Sequence, residues 1–188
     1  MKVIPWTKAK IQEMVELWND ELGNHFPMRV ALFEQNSFKD TNILLQGSKI
    51  VIDEKTGKVI GFIVSKVRQE NKSNIYFSNQ TGWIQVILVH SDYKRKGIGH
   101  SLLEIAESAL QNYKVKKISL GSDPFHYFPG IPEQFSEVKN WFEKRGYIQT
   151  GTEYDLIREF SREKEEDLPQ VPGVEFRLLH WLFTTTCT

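Results

Sequence analysis

The stretch Ile87-Leu88-Val89-His90-Ser91-Asp92-Tyr93-Lys94-Arg95-Lys96-Gly97-Ile98-Gly99-His100-Ser101-Leu102-Leu103 runs from an apolar strand, through a basic turn with two glycines, straight into an amphipathic helix. A turn of this kind aims several backbone N–H groups at one point beside the positive end of a helix, a natural receptor for a phosphate or pyrophosphate. Gly97 and Gly99 remove the Cβ that would hold an anion away from the main chain. Lys94, Arg95 and Lys96 add positive charge beside it. Two other phosphate motifs do not fit: a dinucleotide fingerprint needs a third glycine where Leu102 stands, and a P-loop needs Gly-Lys-Ser/Thr after its turn. Taken alone, the segment is equally compatible with a plain strand-to-helix turn whose basic residues are solvated.

Outward from the turn, Ile98, Leu102, Ile105, Ala106, Ala109 and Leu110 recur at helical spacing and predict a helix over Ile98–Leu110. Ser101, Glu104, Ser108 and Gln111 fall on its solvent side. On the other flank, Trp83–Val89 is apolar on both faces, with Ile84, Val86 and Leu88 on one and Trp83, Ile87 and Val89 sharing the other with Gln85. Such a strand is normally covered on both sides, which places it centrally in a sheet. Upstream, Lys2–Pro5 reads as a short strand and Ile11–Leu22 as an amphipathic helix with Thr7 able to cap its start. Val30–Phe38 is a weaker helix, and Lys49–Asp53 with Val59–Val67 reads as a hairpin around the turn residues Glu54–Gly57. Gln69–Gln80 is a polar loop. Downstream come a strand over Lys116–Leu120, an aromatic and proline-rich loop Gly121–Pro132, and a helix over Phe135–Lys144 ended by Gly146. Two short strands are predicted around Tyr147–Thr150 and Glu153–Ile157.

Composition narrows the function classes. The 188 residues carry 24 Lys+Arg against 24 Asp+Glu, so bulk charge gives no drive towards nucleic acid or a membrane surface. With 12 Phe and 5 Trp the chain has ample core volume, and no apolar run approaches the length of a spanning helix. The single cysteine, Cys187, excludes an intrachain disulfide framework or a cysteine metal cluster. The opening MKVIPWTKAKIQEM lacks the continuous apolar core of a secretory signal, and a cytoplasmic protein without metal is the expectation.

The order of elements (strand, two helices, a hairpin leading into a central strand, basic Gly turn, helix, strand, helix, two strands) resembles the GCN5-related N-acetyltransferase (GNAT) family over roughly Lys2 to Arg158. Lys94-Arg95-Lys96-Gly97-Ile98-Gly99 matches that family's acetyl-CoA motif, Gln/Arg-x-x-Gly-x-Gly/Ala, apart from Lys at the first position. Trp141-Phe142-Glu143-Lys144-Arg145-Gly146-Tyr147 resembles its late helix-to-strand junction. The resemblance implies an α/β fold, a mixed sheet flanked by helices and splayed at its centre, that uses acetyl-CoA as cosubstrate and an amine as acceptor. It implies that Lys94, Arg95, Lys96, Gly97, Ile98 and Gly99, continued by His100 and Ser101, wrap the CoA pyrophosphate. Leu88 and Val89 would offer backbone groups to the pantetheine arm where the central strand parts from Lys116–Leu120.

An alkyl ammonium must lose a proton before it can attack a thioester. The family usually supplies a Glu or a water chain for this, whereas the central strand here offers only Gln85, which is no base. Asp123 and His126, in the loop after the next strand, are the candidate bases; each has an ordinary reading as a loop residue. The Tyr that many relatives use to protonate the departing thiolate is replaced by Phe142, leaving Tyr127 or Tyr147 as candidate acids, or no acid at all, because a thiol with a pKa near 8.5 already leaves well. The missing strand carboxylate and Phe142 keep a second reading open: a catalytically silent acyl-CoA-binding or interaction module of the same fold.

Residues 159–188 form a charged, proline-containing connector and a C-terminal segment. Val174–Leu179 alternates like a new strand, and Trp181, Leu182 and Phe183 are costly to leave in water. An incomplete second domain, an added strand of its own sheet, or docking on a homodimer mate are the expectations for this segment.

Overall fold

The computed structural model describes residues 1–69, 81–154, 156 and 172–173. Strand β1 (Lys2–Pro5) leads to Thr7, whose hydroxyl accepts the Ala9 N–H at 3.3 Å and opens a 3-10 turn feeding helix α1 (Ile11–Leu22). The apolar spacing of α1 buries Met14, Val15, Leu17 and Trp18. The second helical segment is one α turn, α2 (Val30–Phe33), widening into a π turn over Glu34–Phe38. The hairpin forms as β2 (Lys49–Ile52) and β3 (Val59–Val67), followed by β4 (Thr81–Val89), α3 (Ile98–Asn112), β5 (Lys117–Leu120) and α4 (Ser136–Glu143).

The sheet order is β1-β2-β3-β4-β5, antiparallel throughout except for the parallel pair β4/β5. Strand β4 is thus interior, while β3 occupies the middle of the five. Its two cores lie on opposite faces. Beneath α1 and α2, Trp6, Trp18, Phe33 and Phe62 gather with Val86 and Leu88; beneath α3, Ile63, Ile84, Leu102, Leu103 and Leu110 gather with Phe142. The aromatic core is built on ring geometry, with Trp6 stacked on Phe38 at 4.8 Å and Phe33 perpendicular to Phe62 at 5.7 Å.

Strict alternation along β4 does not hold. The register steps from Val64↔Val86 to Ser65↔Ile84, so Gln85 is the extra residue of a β-bulge. The bulge sends Ile84 to the α3 core while Val86 and Leu88 stay with the aromatic core, correcting the expectation that all three share a face. Along α3, Ile105 is only half-buried although its spacing predicts the inner face, and Leu103, which the sequence assigned to neither side, is fully buried.

The parallel pairing of β4 and β5 covers only Thr81–Ile84 against Lys117–Leu120 and is closed by the Gly121 N–H donating to the Ile84 carbonyl at 3.0 Å. There the chain turns away. Gly121 has φ +67°, and a side chain at that position would collide with the Phe128 carbonyl. Beyond this point β4 and β5 part.

Tyr147–Thr150 is not a strand. The Tyr147 ring packs edge-on against Phe142 at 5.0 Å and its hydroxyl donates to Glu107 at 2.8 Å, which pins the residue between α4 and α3. Beyond it the chain is irregular, with Ile148 81% exposed. Glu153–Ile157 lies partly outside the described residues. Met1–Gly151 forms one compact unit and Thr152–Thr188 a second. Residues 70–80 and the segment Val174–Thr188 are outside the described residues. Among the described residues, no helix is long and apolar enough to cross a membrane.

Candidate active site

Where β4 leaves β5, a cleft of about 820 Å³ opens, floored by Gln85–Val89 and walled by the turn before α3 on one side and by α4 on the other. The His90 N–H bonds the Ile60 carbonyl at 2.9 Å. Alternation along the antiparallel pair therefore turns the backbone groups of Leu88 to β3 and those of Ile87 and Val89 to the cleft.

The turn has the conformation that its glycines suggest. Gly97 caps α3 in the left-handed region (φ +83°), and Arg95 also takes positive φ (+61°), a cost of about 1–2 kcal/mol for a residue with a Cβ. No side chain caps α3, so the amides of its first turn are left for another acceptor. Gly99 is free of crowding: a Cβ there would meet Trp141 Cζ2 at 3.8 Å and Val89 Cγ2 at 3.9 Å, ordinary contact. Its value lies in leaving the main chain bare on the cleft side.

The charges of the turn divide. Arg95 and His100 line the cleft, the latter 3.2 Å from Glu104. Lys94 also lines it, with Nζ donating to Glu21 at 2.9 Å. Lys96 turns back, its ammonium bonding the Asp92 carbonyl at 2.8 Å and lying 4.9 Å over the Tyr93 ring. Ile98 puts its side chain into the α3 core, and Ser101 faces a separate shallow groove beside Ile105 and Ser108.

In the β5–α4 loop, Asp123 is buried, with Oδ2 2.6 Å from Lys66 Nζ. Lys66, itself wholly buried, also lies 2.8 Å from Asp40 Oδ2 and donates to the Pro124 carbonyl at 2.9 Å. Burial pushes the Asp123 carboxyl above its ordinary value, against the pull of Lys66. Tyr127 is spent in a similar way. Its hydroxyl is 2.6 Å from that of Ser37 and 3.3 Å from the Phe33 carbonyl, its ring packs on Trp18 and Phe33, and burial raises its pKa. Tyr147 is committed to Glu107, with burial and that bond raising its pKa. His126 differs: it is exposed, and its Nδ1 lies 2.9 Å from the Asp123 carbonyl oxygen. A carbonyl accepts only, so this contact puts a proton on Nδ1, and in the neutral ring Nε2 is the nitrogen with the free lone pair.

Of the residues expected at a cofactor site, the cleft gathers Leu88, Val89, Lys94, Arg95, Gly97, Gly99 and His100. The backbone groups expected of Leu88 are turned to β3, however, and it is Ile87 that offers them with Val89. The cleft does not gather Lys96, Ile98 or Ser101, and the expected catalytic residues Asp123, His126 and Tyr127 stand off it in the neighbouring loop. Sequence reasoning missed Glu21, Trp141 and Arg145. The Arg145 guanidinium stacks 3.8 Å over the Trp141 ring, with Nη1 donating to the Trp141 carbonyl at 2.8 Å. The i, i+4 spacing of Trp141 and Arg145, at the end of the predicted helix, was the available signal for that pair. Among the described residues, no group of three or more His, Cys, Asp or Glu could hold a metal.

A mixed sheet splayed over a phosphate-type turn is an acyl-CoA N-acyltransferase architecture, and the comparisons agree. Residues 11–127 match the model of the acetyltransferase (GNAT) family, and the chain belongs to that family. No curated protein matches the sequence. Among solved structures, a GCN5-related glucosamine N-acetyltransferase region of a fungal multi-domain GH3 β-N-acetylglucosaminidase is 22% identical over 78% of this chain, with a TM-score of 0.63. The chain spans only 17% of that protein. The aminoglycoside 6'-N-acetyltransferase AAC(6')-IG from Acinetobacter haemolyticus is 14% identical, with 86% of this chain and 100% of that one covered and a TM-score of 0.58. AAC(6')-Iy, in complex with a CoA-containing bisubstrate analogue, is 12% identical over 85% of this chain and 98% of its own, with a TM-score of 0.57.

Proposed function

We propose that the chain is an N-acetyltransferase that moves an acetyl group from acetyl-CoA to an amine. The observation that carries this reading is the uncapped start of α3, with Gly97 and Gly99 bare, at the mouth of a cleft whose floor is unpaired β4 backbone. The first-turn amides and Arg95 hold the pyrophosphate. The cleft-facing backbone groups of Ile87 and Val89 bond the pantetheine amides, much as a further strand would. The α3 dipole adds to the hold on the phosphates.

The acceptor nitrogen attacks the thioester carbonyl carbon, the carbon–sulfur bond breaks, and CoA leaves with the electron pair. His126, which stands outside the cleft, takes the proton from the acceptor amine on Nε2 through an intervening water, with Nδ1–H held by the Asp123 carbonyl. The thiolate leaves without a protein acid, consistent with the buried Phe142 and the committed hydroxyls of Tyr127 and Tyr147. Asp123 then serves the loop rather than the proton.

The test is a CoA titration joined to a panel of amine acceptors, read as free thiol released. Binding with turnover on at least one amine is expected. Binding without turnover on any would favour the silent acyl-CoA-binding module, a reading that Phe142 and the fully bonded Gln85 support.

A further inference from the structure

We infer that Glu21 is a displaceable counter-ion of the phosphate turn: it holds Lys94 while the site is empty and gives it up to a phosphate oxygen when the coenzyme binds. This rests on the functional reading above and concerns how the same site sets its affinity. Glu21 stands in the last turn of α1, far along the chain from the turn, yet its carboxylate makes two bonds there. Oε1 accepts the Ser91 N–H at 2.5 Å and Oε2 accepts from Lys94 Nζ at 2.9 Å. Its side chain is only 9% exposed whereas that of Lys94 is 58% exposed, and both residues line the cleft. The carboxylate is therefore fixed and the lysine is the mobile member.

Burial opposes ionisation of Glu21, but the bonds from Lys94 and Ser91 outweigh it and keep the carboxyl below its ordinary value. The negative charge thus remains as a phosphate approaches. Glu21 and a phosphate oxygen then compete for the same ammonium, and a partly buried carboxylate is screened less by salt than a surface one. Arg95 is exposed and lines the cleft, so its charge is available to the ligand at once. Lys94, at the first position of the motif, contributes only after exchange.

The experiment measures CoA dissociation constants by calorimetry on the full chain, for the unchanged protein, Glu21→Gln, Lys94→Gln and the double variant, at low and high salt. Gln keeps an acceptor for the Ser91 N–H and removes only the charge. Glu21→Gln should bind CoA about 2–10-fold more tightly at low salt, with the gain shrinking at high salt. In the Lys94→Gln background the same change should yield little, because no lysine remains to be released. Unchanged or weaker binding in Glu21→Gln overturns the inference, as does an equal gain in both backgrounds, which would mean general repulsion rather than exchange. If the unchanged protein binds no CoA, the functional reading fails first, and this inference with it.

Discussion

Asp123 holds its carboxylate 2.6 Å from the Lys66 ammonium with neither side chain exposed to solvent. Asp40 approaches the same ammonium to 2.8 Å, so two carboxylates share one cation in the interior. Asp40 is further supported by the N–H and amide of Asn42, both at 2.9 Å on Oδ1; Asp123 Oδ1 has no hydrogen-bond partner among the described residues. The cluster ties β3, the segment after the π turn and the loop bearing His126 together at one point.

The pH dependence of stability follows from that imbalance. A carboxyl raised by burial binds its proton more tightly folded than unfolded, so its contribution is present below the ordinary value of 3.8 and is lost as pH rises through the raised value. Asp123→Asn should flatten this decline. Melting temperature as a function of pH is the measurement, and an unchanged slope would remove Asp123 as its source.

Lys66→Met leaves both carboxylates buried without a cation. Breaking a buried pair from one side costs about 3–5 kcal/mol. Denaturant unfolding should show a loss of that order, with partial recovery when Asp40→Asn and Asp123→Asn are added.

The two glycines of the turn should separate. Gly97→Ala meets no atom but must keep a left-handed backbone, costing about 1–2 kcal/mol of stability. Gly99→Ala fits in the empty protein, so its melting point should hold while CoA affinity falls by about tenfold or more, roughly 1.4 kcal/mol. Equal affinity in a folded Gly99→Ala protein would contradict pyrophosphate binding at the turn.

Gln85→Ala should damage the fold more than the chemistry. Its amide supplies the Asn36 and Phe125 carbonyls, at 3.1 and 2.9 Å, and leaving buried acceptors unpaired costs about 1–3 kcal/mol. Turnover per folded molecule should stay within a few-fold, since no proton passes through it.

His126→Ala should lower the rate of thiol release by about 10²–10⁴-fold with CoA affinity unchanged. A variant with full activity would shift the base to a water chain or to the polar loop Gln69–Gln80.

Much of this was legible in the sequence because periodicity reports burial. The one-sided apolar series of α1 and α3 and the Ile/Val-rich hairpin are consequences of facing a core, and they appear as such in the chain. The bulge at Gln85 was not legible, because a period-two reading assumes that no residue is skipped, and only pairing with β3 reveals the skip. Lys66 was equally hidden. A lysine in a strand reads as solvent-facing unless its partners are known, and Asp40 and Asp123 come from distant segments. Tyr147 was misread as a strand start because its aromatic, strand-favouring character actually serves contacts with Phe142 and Glu107. For the site, glycine spacing pointed to the turn, but which basic residues face the cleft depends on side-chain partners such as Asp92 and Glu21.

The brief seam between β4 and β5 has a consequence in time. Thr81 finds Lys117 only across the whole of α3, so this pairing closes a long loop, and contacts of that kind form late in folding. Four residues on each strand then hold the join, which makes it a natural place for the first transient opening. On the proposed function, a coenzyme lying in the cleft would bond β4 on one side and the α3 turn on the other, and so lengthen the life of the closed form by mass action. Amide exchange at Ile118, Ser119 and Leu120 would then run as a clock for occupancy: fast in the empty protein, slow when the wedge is filled.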